Sequence, residues 1–190
     1  MSALCEAARR RGRQAGFRTF VWAGGSETAR GVIVGEAPGA EEVRDGKPFV
    51  GRAGRLLRSE MEAVGLHPDG CWITNVVKHR PTQGPAGRAN RAPNTAEVRF
   101  WQPYFLRELD LLRPRCLLCL GSVAAKAVIP GFDKMGSRRG RWVDLPSGVR
   151  AMATYHPSYV LRAQAFGDAQ VGADFRRDLA EFAAMVMSDQ

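Results

Sequence analysis

A loop that follows a short apolar run concentrates side chains capable of chemistry. Residues 32–34 form a β-type run, and the glycine- and proline-rich loop after them carries three glutamates, Glu36, Glu41 and Glu42. The same loop holds one aromatic residue, Phe49. Carboxylates act as general acids or bases, while an aromatic ring provides a flat apolar surface. This combination is unusual for a plain connection, and it makes the loop a candidate binding site.

Two further polar side chains stand where later apolar runs end. Asn75 lies late in the run 71–77, and its amide offers a donor and an acceptor side by side. His156 follows the run 149–154, and an imidazole can donate a hydrogen bond to charge that develops on a substrate. Single residues of these types at strand ends are more often structural, so their function depends on the elements that position them.

Apolar runs alternate with helical patterns along the chain, which predicts a mainly parallel sheet flanked by helices. The predicted strands cover residues 20–22, 32–34, 71–77, 116–120 and 149–154. Residues 81–93, 130–142 and 156–162 are expected to be loops, and Asn94 with Glu97 resembles a capping box at the start of a helix. The carboxyl ends of parallel strands lie at one edge of the sheet. We therefore expect one pocket at this edge, bordered by Glu36, Glu42, Phe49, Asn75 and His156.

The length and the net charge of the chain favour one domain that binds a polyanion. A chain of 190 residues fits a single domain over 1–190, and its formal net charge is +9. Nucleic acid is the first candidate partner, and an anionic membrane surface is the second. Residues 1–19 form a basic N-terminal segment, which is either a solvated face or an arm that contacts phosphates.

The sequence favours a cytoplasmic location. No apolar run approaches the roughly 18 residues of a membrane span, and the N-terminus lacks the apolar core of a signal peptide. The four cysteines are expected to be free thiols. Cys116 and Cys119 belong to one apolar strand, where residues three apart point to opposite faces, so they are expected to pack in the core and not to bind one metal ion.

Several ordered segments resemble the motifs of the uracil-DNA glycosylase superfamily, most closely those of the bacterial and archaeal family-four enzymes. These segments are GEAPGAEE, GKPFVGRAGRLL, ITNVVKHRP, RPRCLLCLGSVAAKAV and HPSYVLR, and they span about residues 20–162. The resemblance implies a three-layer α/β/α sandwich with a mainly parallel sheet of about four strands. It implies a monomeric, monofunctional enzyme that hydrolyses the N-glycosidic bond of uracil in DNA and releases free uracil and abasic-site DNA.

The resemblance also implies which residues bind the base. Phe49 stacks on the flipped uracil, Asn75 contacts its polar edge, and Glu36 and Ala37 complete the binding set. Stacking of a base on an aromatic ring contributes about 1 to 3 kcal/mol. The Asn75 amide matches O4 and N3–H of uracil and mismatches cytosine.

Two residues are implied for the chemistry. Bond cleavage leaves negative charge on O2 of uracil, which His156 faces, and an oxocarbenium-like sugar, which a carboxylate stabilises while it orients water. Glu42 is the implied carboxylate, although Glu36 and Glu41 lie in the same loop and remain alternatives.

Contacts to DNA are expected from the basic loops and from the segment after His156. The base must be flipped out of the strand, at a cost that phosphate contacts and a wedge offset. Tyr159, Val160 and Leu161 are wedge candidates. Alternatively, the basic residues among these candidates are only exposed to solvent and do not contact DNA. The expected DNA-binding residues are Lys78, Arg80, Arg88, Arg91, Ser158, Tyr159, Leu161 and Arg162.

The sequence departs from the family-four pattern at the cysteines. Such enzymes typically bind a four-iron, four-sulfur cluster through a CxxC near the N-terminus and two later cysteines. Here Cys5 stands alone, and Ala8, His79 and Trp101 occupy the other positions. We expect no iron-sulfur cluster, no other cofactor and no metal. Residues 81–93 contain no histidine, so the covalent product adduct of a related branch is not expected.

Two other functions compete with excision of uracil. The first is a catalytically feeble protein that binds and shields uracil-containing or abasic DNA. The second is a nucleotide-handling hydrolase, which is weaker because the chain has no GxxxxGK[ST] pattern and the glycine-rich loop is acidic.

Overall fold

Four parallel strands form the centre of a six-stranded sheet in the computed structural model, which describes residues 1–84, 87 and 89–188. The strands, numbered in chain order, are β1 Gly24–Gly25, β2 Gly31–Gly35, β3 Trp72–Asn75, β4 Thr82–Gln83, β5 Ala89–Asn90, β6 Cys116–Leu120, β7 Trp142–Asp144 and β8 Arg150–Thr154. The order across the sheet is β1-β3-β2-β6-β8-β7. The edge strands β1 and β7 are antiparallel to their neighbours, and the four between them are parallel.

Helices cover both faces of the sheet, which confirms the three-layer α/β/α architecture. The helices are α1 Ser2–Gln14, α2 Ala40–Asp45, α3 Arg52–Ala63, α4 Thr95–Leu112, α5 Ser122–Val128, α6 Met135–Arg138, α7 Pro157–Ala165 and α8 Ala169–Met187. Buried residues of α1, α4 and α5 share one core, and those of α3, α7 and α8 share the other. Because both faces are covered, β2 is buried along its whole length and is apolar throughout.

The two buried cysteines of β6 point to opposite faces, as predicted. Cys119 packs in the core under α1, α4 and α5, and Cys116 packs in the other core. Burial raises the pKa of Cys116 to about 12. All four cysteines of the chain are free thiols.

The register of the sheet brings separate strand ends together. Gly35 at the end of β2 is paired with Asn75 at the end of β3. Leu120 at the end of β6 is paired with Thr154 at the end of β8. The loops after β2, β6 and β8 therefore leave the sheet at the same edge as Asn75.

Several local predictions were wrong. Residues 20–22 are not a strand, since Gly24–Gly25 pairs with β3 instead. The segment 81–93, expected to be irregular, contains the hairpin β4–β5. Within 130–142, expected to be a loop, the short helix α6 forms and β7 begins.

The segment after His156 is the helix α7, not a loop. His156 is the N-cap residue, and its side chain accepts a hydrogen bond from the Ser158 amide. Pro157 occupies the first helical position, where its missing N–H has no cost. By contrast, the capping box of Asn94 and Glu97 at the start of α4 was predicted correctly.

In the part of the chain that the structure describes, no helix is long and apolar enough to cross a membrane.

Candidate active site

A cleft of about 1000 Å³ opens at the edge where the parallel strands end. Its wall is built from the loop after β2, the end of β3, the turn between β6 and α5, the start of α7 and the region of the β4–β5 hairpin. Glu36, Ala37, Phe49, Asn75 and His156 all line it. The structure thus brings together the residues that the sequence predicted to share a pocket.

Gly35 is the point where two of these side chains meet. A Cβ atom on Gly35 would collide with Oδ1 of Asn75 and would lie 2.5 Å from Cζ of Phe49. The Phe49 and His156 rings border the same cleft, with centroids 6.2 Å apart. Only glycine at position 35 leaves room for this arrangement.

Asn75 presents an unpartnered amide at the floor of the cleft. Its side chain is 2% exposed, and it forms no hydrogen bond with another residue in the described part of the chain. The amide oxygen and nitrogen are not among the fully buried unpartnered atoms of the described residues, so they are open to the cleft, where water or a ligand can bind them. The amide is therefore available to a ligand that offers both an acceptor and a donor.

Phe49 is held in an unusual backbone conformation. Its φ is 53°, in the left-handed region that residues other than glycine rarely adopt. The Arg58 side chain donates to the Phe49 carbonyl at 3.3 Å. Gly54 lies so close that a Cβ on it would collide with the same carbonyl. These contacts fix the ring, which is 6% exposed, against the cleft.

Glu42 anchors the loop that carries Phe49. Its Oε1 accepts hydrogen bonds from the amides of Val50 at 3.0 Å and Gly51 at 2.8 Å. Its Oε2 accepts one from the Gly39 amide at 3.1 Å. Each carboxylate oxygen has two lone pairs, so Oε2 retains capacity for one further donor. Glu42 can therefore hold the loop and still orient a water molecule.

The two neighbouring glutamates differ from Glu42. Glu36 is partly buried, and it has no side-chain hydrogen bond or ion pair among residues 1–84, 87 and 89–188. Burial raises its pKa above the ordinary value for a glutamate. Glu41 is paired with the exposed Arg55 at 3.4 Å.

His156 is held as a neutral imidazole. Its Nδ1 accepts from the Ser158 amide at 3.1 Å and lies 2.8 Å from the Ser158 hydroxyl. Desolvation, with the nearby Arg162 charge adding to it and Glu42 opposing it, lowers the pKa of His156 to about 4. Because Nδ1 is an acceptor, the proton of the neutral ring is on Nε2, which can donate into the cleft.

A buried ion pair supports the strand that carries His156. The Thr154 hydroxyl donates to Asp178 at 2.6 Å, and Arg139 donates to both oxygens of Asp178 at 2.7 Å. Arg139 also lies over the Tyr155 ring, 5.3 Å from its centroid. These contacts fix the two residues that precede His156.

A hydrogen-bonded chain runs from the core to one wall of the cleft. The Trp101 indole donates to Nδ1 of His79 at 2.8 Å, and Nε2 of His79 lies 3.0 Å from Glu97. Arg91, which lines the cleft, donates to both oxygens of Glu97 at 2.7 Å. Arg91 and the bonds to Asn94 and His79 outweigh burial and lower the pKa of Glu97 to about 2.

The family model described as the uracil DNA glycosylase superfamily matches residues 23–180. This chain belongs to the uracil-DNA glycosylase superfamily. It is 39% identical over 174 residues to the type-4 uracil-DNA glycosylase of Pyrobaculum aerophilum, covering 87% of this chain and 83% of that enzyme. It is 38% identical over 144 residues to the type-4 enzyme of Archaeoglobus fulgidus, covering 72% and 69%. The type-5 uracil-DNA glycosylase of Pyrobaculum aerophilum is more distant, at 32% over 151 residues, covering 70% and 63%.

The four positions at which a family-four uracil-DNA glycosylase carries cluster cysteines do not fit a cluster in this chain. Ala8 is fully buried, and Trp101 and His79 are hydrogen-bonded to each other. Phe17 stacks on His79 with centroids 4.1 Å apart. Cys5 supplies one thiol where four are needed. Packed rings occupy this region, which is part of the core beneath α1 and α4.

Lys78 was wrongly predicted to contact DNA. Its side chain is fully buried, and its ammonium donates to Thr74 at 2.6 Å and to Glu108 at 2.5 Å. It also lies over the Trp22 ring, 4.5 Å from the centroid. The lysine follows a strand that continues under α4, and this glycosylase uses it to close a buried polar network.

The segment after His156 is divided between core and cleft. Val160 is 1% exposed, so its prediction as a wedge was wrong. Tyr159 is exposed beside the Tyr155 ring, with centroids 5.2 Å apart. Ser158, Leu161 and Arg162 line the cleft.

The remaining basic candidates have different surroundings. Arg91 lines the cleft, and Arg80 donates to Asn90, another residue of its wall, at 2.6 Å. Arg88 lies outside the described residues.

Sequence reasoning missed the turn that begins at Gly121. Gly121, Ser122 and Val123 line the cleft opposite the loop after β2. Gly121 has φ 88°, and a Cβ on it would lie 3.1 Å from Cβ of His156. The glycine directly after an apolar strand was the available signal, because such a glycine often permits close approach of another residue.

Proposed function

We propose that this protein is a uracil-DNA glycosylase that binds uracil flipped out of DNA and hydrolyses its N-glycosidic bond. The observation that carries this proposal is the unpartnered Asn75 amide at the floor of the cleft beside the Phe49 ring. Membership of the superfamily supports the activity. Type-4 uracil-DNA glycosylases at 36 to 39% identity support it further.

The base-binding set follows from the chemistry of uracil. Phe49 stacks on the base, and the Asn75 amide donates to O4 and accepts from N3–H. Cytosine presents an amine and an unprotonated nitrogen at the same places, so both hydrogen bonds are lost as long as the amide keeps this orientation. Glu36 and Ala37 complete the wall around the base.

His156 stabilises the leaving group. Its neutral ring donates from Nε2 to O2 of uracil, where negative charge accumulates as the bond breaks. The Ser158 amide holds the opposite nitrogen and fixes the tautomer. A preorganised donor of this kind contributes about a hundred- to a thousandfold in rate.

Glu42 is the proposed carboxylate for the sugar and the water. Its fixed oxygens place negative charge near the oxocarbenium-like sugar, and the spare lone pair of Oε2 orients the attacking water. Glu36 is the alternative, because it is unpartnered and its pKa is raised by burial.

DNA is held at the rim of the cleft. Arg162 contacts a phosphate, and so does Arg91, through the one N–H that its bonds to Glu97, Thr82 and Ala92 leave unused. Ser158 and Tyr159 flank the path, and Leu161 fills the gap left by the base. Arg80 extends the path along the hairpin region, and a contact of Arg88 with DNA stays a prediction. We propose one domain over residues 1–190 that acts as a monomer and releases free uracil and abasic-site DNA without a covalent adduct. A cytoplasmic location stays a prediction.

We propose that no iron-sulfur cluster takes part. Support comes from the packing of Ala8, His79 and Trp101 at the expected ligand positions. Purified protein is expected to be colourless and iron-free by elemental analysis. Stoichiometric iron with a visible absorption band would contradict this.

The test of function is a glycosylase assay on labelled single- and double-stranded DNA that contains one uracil. Wild type should generate alkali-labile abasic sites, and His156→Ala and Asn75→Ala should reduce the single-turnover rate at least about a hundredfold. Glu42→Gln and Glu36→Gln are compared to decide which carboxylate handles water. Undiminished rates in all four variants would overturn the site.

One observation favours the alternative of a binding protein that shields uracil-containing or abasic DNA. Three backbone amides occupy the Glu42 carboxylate, which limits its freedom to handle water. Tight binding of abasic DNA by wild type, with no excision under single-turnover conditions, would establish this alternative.

A further inference from the structure

A second, smaller cavity lies between α1 and the segment 17–20 that follows it. It has a volume of about 140 Å³. We name it the arginine notch, after Arg9, Arg13 and Arg18, which line it. Phe17, Phe20 and Trp101 supply the apolar part of its wall.

The charge in the arginine notch is not balanced by the protein. No carboxylate lines the notch, and none of Arg9, Arg13 and Arg18 forms an ion pair within the described part of the chain. All three side chains are exposed to solvent at its mouth. Three guanidinium groups around one small cavity repel each other, and a bound anion relieves this repulsion.

The backbone that presents these arginines is well fixed. The chain reverses after α1 at Gly16, which has φ 88°, and the Phe17 amide donates to the Gly12 carbonyl at 3.0 Å. Phe17 is stacked on His79, and the Arg9 guanidinium lies 5.0 Å from the Phe20 ring centroid. Because the backbone is already fixed, the ordering cost of binding an anion is confined to the exposed side chains, mainly those of Arg13 and Arg18.

The size and chemistry of the notch suit a phosphate group. Its volume is well below the roughly 300 to 1000 Å³ of pockets for drug-sized ligands, so a base with its sugar would not fit. Guanidinium groups bind phosphate oxygens through paired N–H donors. The carbonyls at the end of α1 disfavour anions, so the attraction must come from the arginines.

The notch is connected to the cleft through Arg80. The Arg80 amide donates to the hydroxyl of Thr19, which lines the notch, at 2.9 Å. The Arg80 side chain donates to Asn90, which lines the cleft. A DNA strand leaving the cleft along this side passes a basic residue before it reaches the notch.

We propose that Arg9, Arg13 and Arg18 bind one backbone phosphate of the substrate strand, outside the cleft that takes the uracil. This inference deepens the proposed function and rests on DNA being the substrate. The notch extends the footprint of the protein on the strand and adds affinity without touching the reacting atoms.

The test compares two double variants of equal charge on the same helix region. Arg13→Gln with Arg18→Gln removes two notch arginines, while Arg10→Gln with Arg11→Gln removes two arginines that do not line the notch. Arg9 is retained because it packs on Phe20. Binding of uracil-containing DNA of increasing length is measured by fluorescence anisotropy, with single neutral methylphosphonate linkages placed at each position in turn.

The proposal expects a position-specific result. On long strands the notch variant should bind about tenfold more weakly than the control variant, and both should bind short strands within about twofold of each other. At one position, replacing the phosphate by a methylphosphonate should weaken binding by wild type about tenfold. The same replacement should not weaken binding by the notch variant any further. Equal losses in both variants, or no such position, would overturn the proposal.

A separate titration distinguishes a strand phosphate from a small phosphate ligand. If inorganic phosphate or a mononucleotide stabilises wild type against heat but not the notch variant, while DNA affinity is the same for both variants, the notch serves a small ligand and the proposal fails. These binding measurements do not require cleavage. Failure of wild type to excise uracil would count against the proposed function alone.

Discussion

At the level of single residues, the space in front of Asn75 depends on the absence of a side chain at Gly35. A methyl group there would collide with Asn75 Oδ1 and contact the tip of the Phe49 ring. The two side chains proposed to bind uracil would both have to move. Glycine at this position is therefore required by the pocket and not by backbone conformation.

Gly35→Ala should reduce kcat/KM on uracil-containing DNA by about a hundredfold, because a shift of about 1 Å in a substrate-binding group costs that much. Overpacking should also lower the free energy of unfolding by about 1 to 3 kcal/mol. Gly136→Ala is the control, since a Cβ there meets nothing within 4 Å. Equal activity of the two variants would show that the site around Gly35 does not bind the base.

His156 should make folding sensitive to mild acid. Its pKa is about 4 in the folded protein, below the ordinary value of 6.5, so the unfolded chain binds a proton first as the pH falls. This contribution to stability is intact above pH about 6.5 and is lost progressively towards pH 4, amounting to at most about 3 kcal/mol.

His156→Asn removes the titrating group and keeps a side chain that caps α7 well. Urea unfolding of both proteins is measured at pH 7 and pH 5. Wild type should lose more stability than the variant between these values, and His79 cancels because both proteins contain it. Parallel losses in the two proteins would mean that His156 is not held neutral.

At the level of elements, the four parallel strands and the meeting of their ends at the cleft were predictable, while the short strands and the polar networks behind the cleft were not. Each apolar run that precedes Phe49, Asn75 or His156 can be recognised as a strand from its own sequence. The parallel order of these strands then brings their ends together. Lys78 was misjudged because its partner Glu108 is distant in sequence and lies on another element. The sequence predicted a loop in place of the first turn of α7, because His156 is an uncommon helix cap.

The Trp101–His79–Glu97–Arg91 chain ties α4 to the wall of the cleft, and its strength should depend on the charge of Glu97. The pKa of Glu97 is about 2 in the folded protein, below the ordinary 4.5. Its contribution to stability is therefore present above pH about 4.5 and lost as the pH falls towards 2. It amounts to at most about 3 kcal/mol.

Glu97→Gln should destabilise the protein at pH 7 in urea unfolding, and the difference from wild type should shrink as the pH falls below about 4.5. The exposed Glu62→Gln serves as control and should change stability by less than about 0.5 kcal/mol. A difference for Glu97→Gln that does not vary with pH would show that packing, and not charge, is responsible.

The Asp178 contacts join α8 to β8 just before His156. Asp178→Asn leaves Arg139 with its second carboxylate partner, Asp174 at 2.8 Å, so the cost should lie below the about 3 to 5 kcal/mol of a buried charge left without a partner. Arg107→Gln removes an exposed ion pair to Asp110, outside this network, and should cost less than about 1 kcal/mol. Urea unfolding gives the stabilities, and single-turnover excision at a temperature where both variants are folded should be slower only for Asp178→Asn. Equal excision rates would exclude a role in positioning His156.

At the level of the whole molecule, the chain has a net charge of +9, while the loop after β2, which lines the cleft, is acidic. The rim carries Arg52, Arg91 and Arg162, while Glu36 and Glu42 lie within the wall. Phosphates are thus attracted to the rim and repelled from the centre, where the neutral base enters. This distribution separates affinity for the strand from the chemistry on the base.

Salt should therefore affect binding and leave the chemical step unchanged. On single-stranded DNA, the logarithm of affinity should fall linearly with the logarithm of salt concentration, by about 0.7 for each phosphate contacted. Single-turnover rates at saturating protein should stay constant over the same range, because the bond-breaking groups face the base. A strand with methylphosphonates flanking the uracil is the control and should give a shallower slope. If the saturating rate fell in parallel with affinity, the rim arginines would be acting on the reacting atoms themselves, and the separation argued from the charge distribution would be wrong.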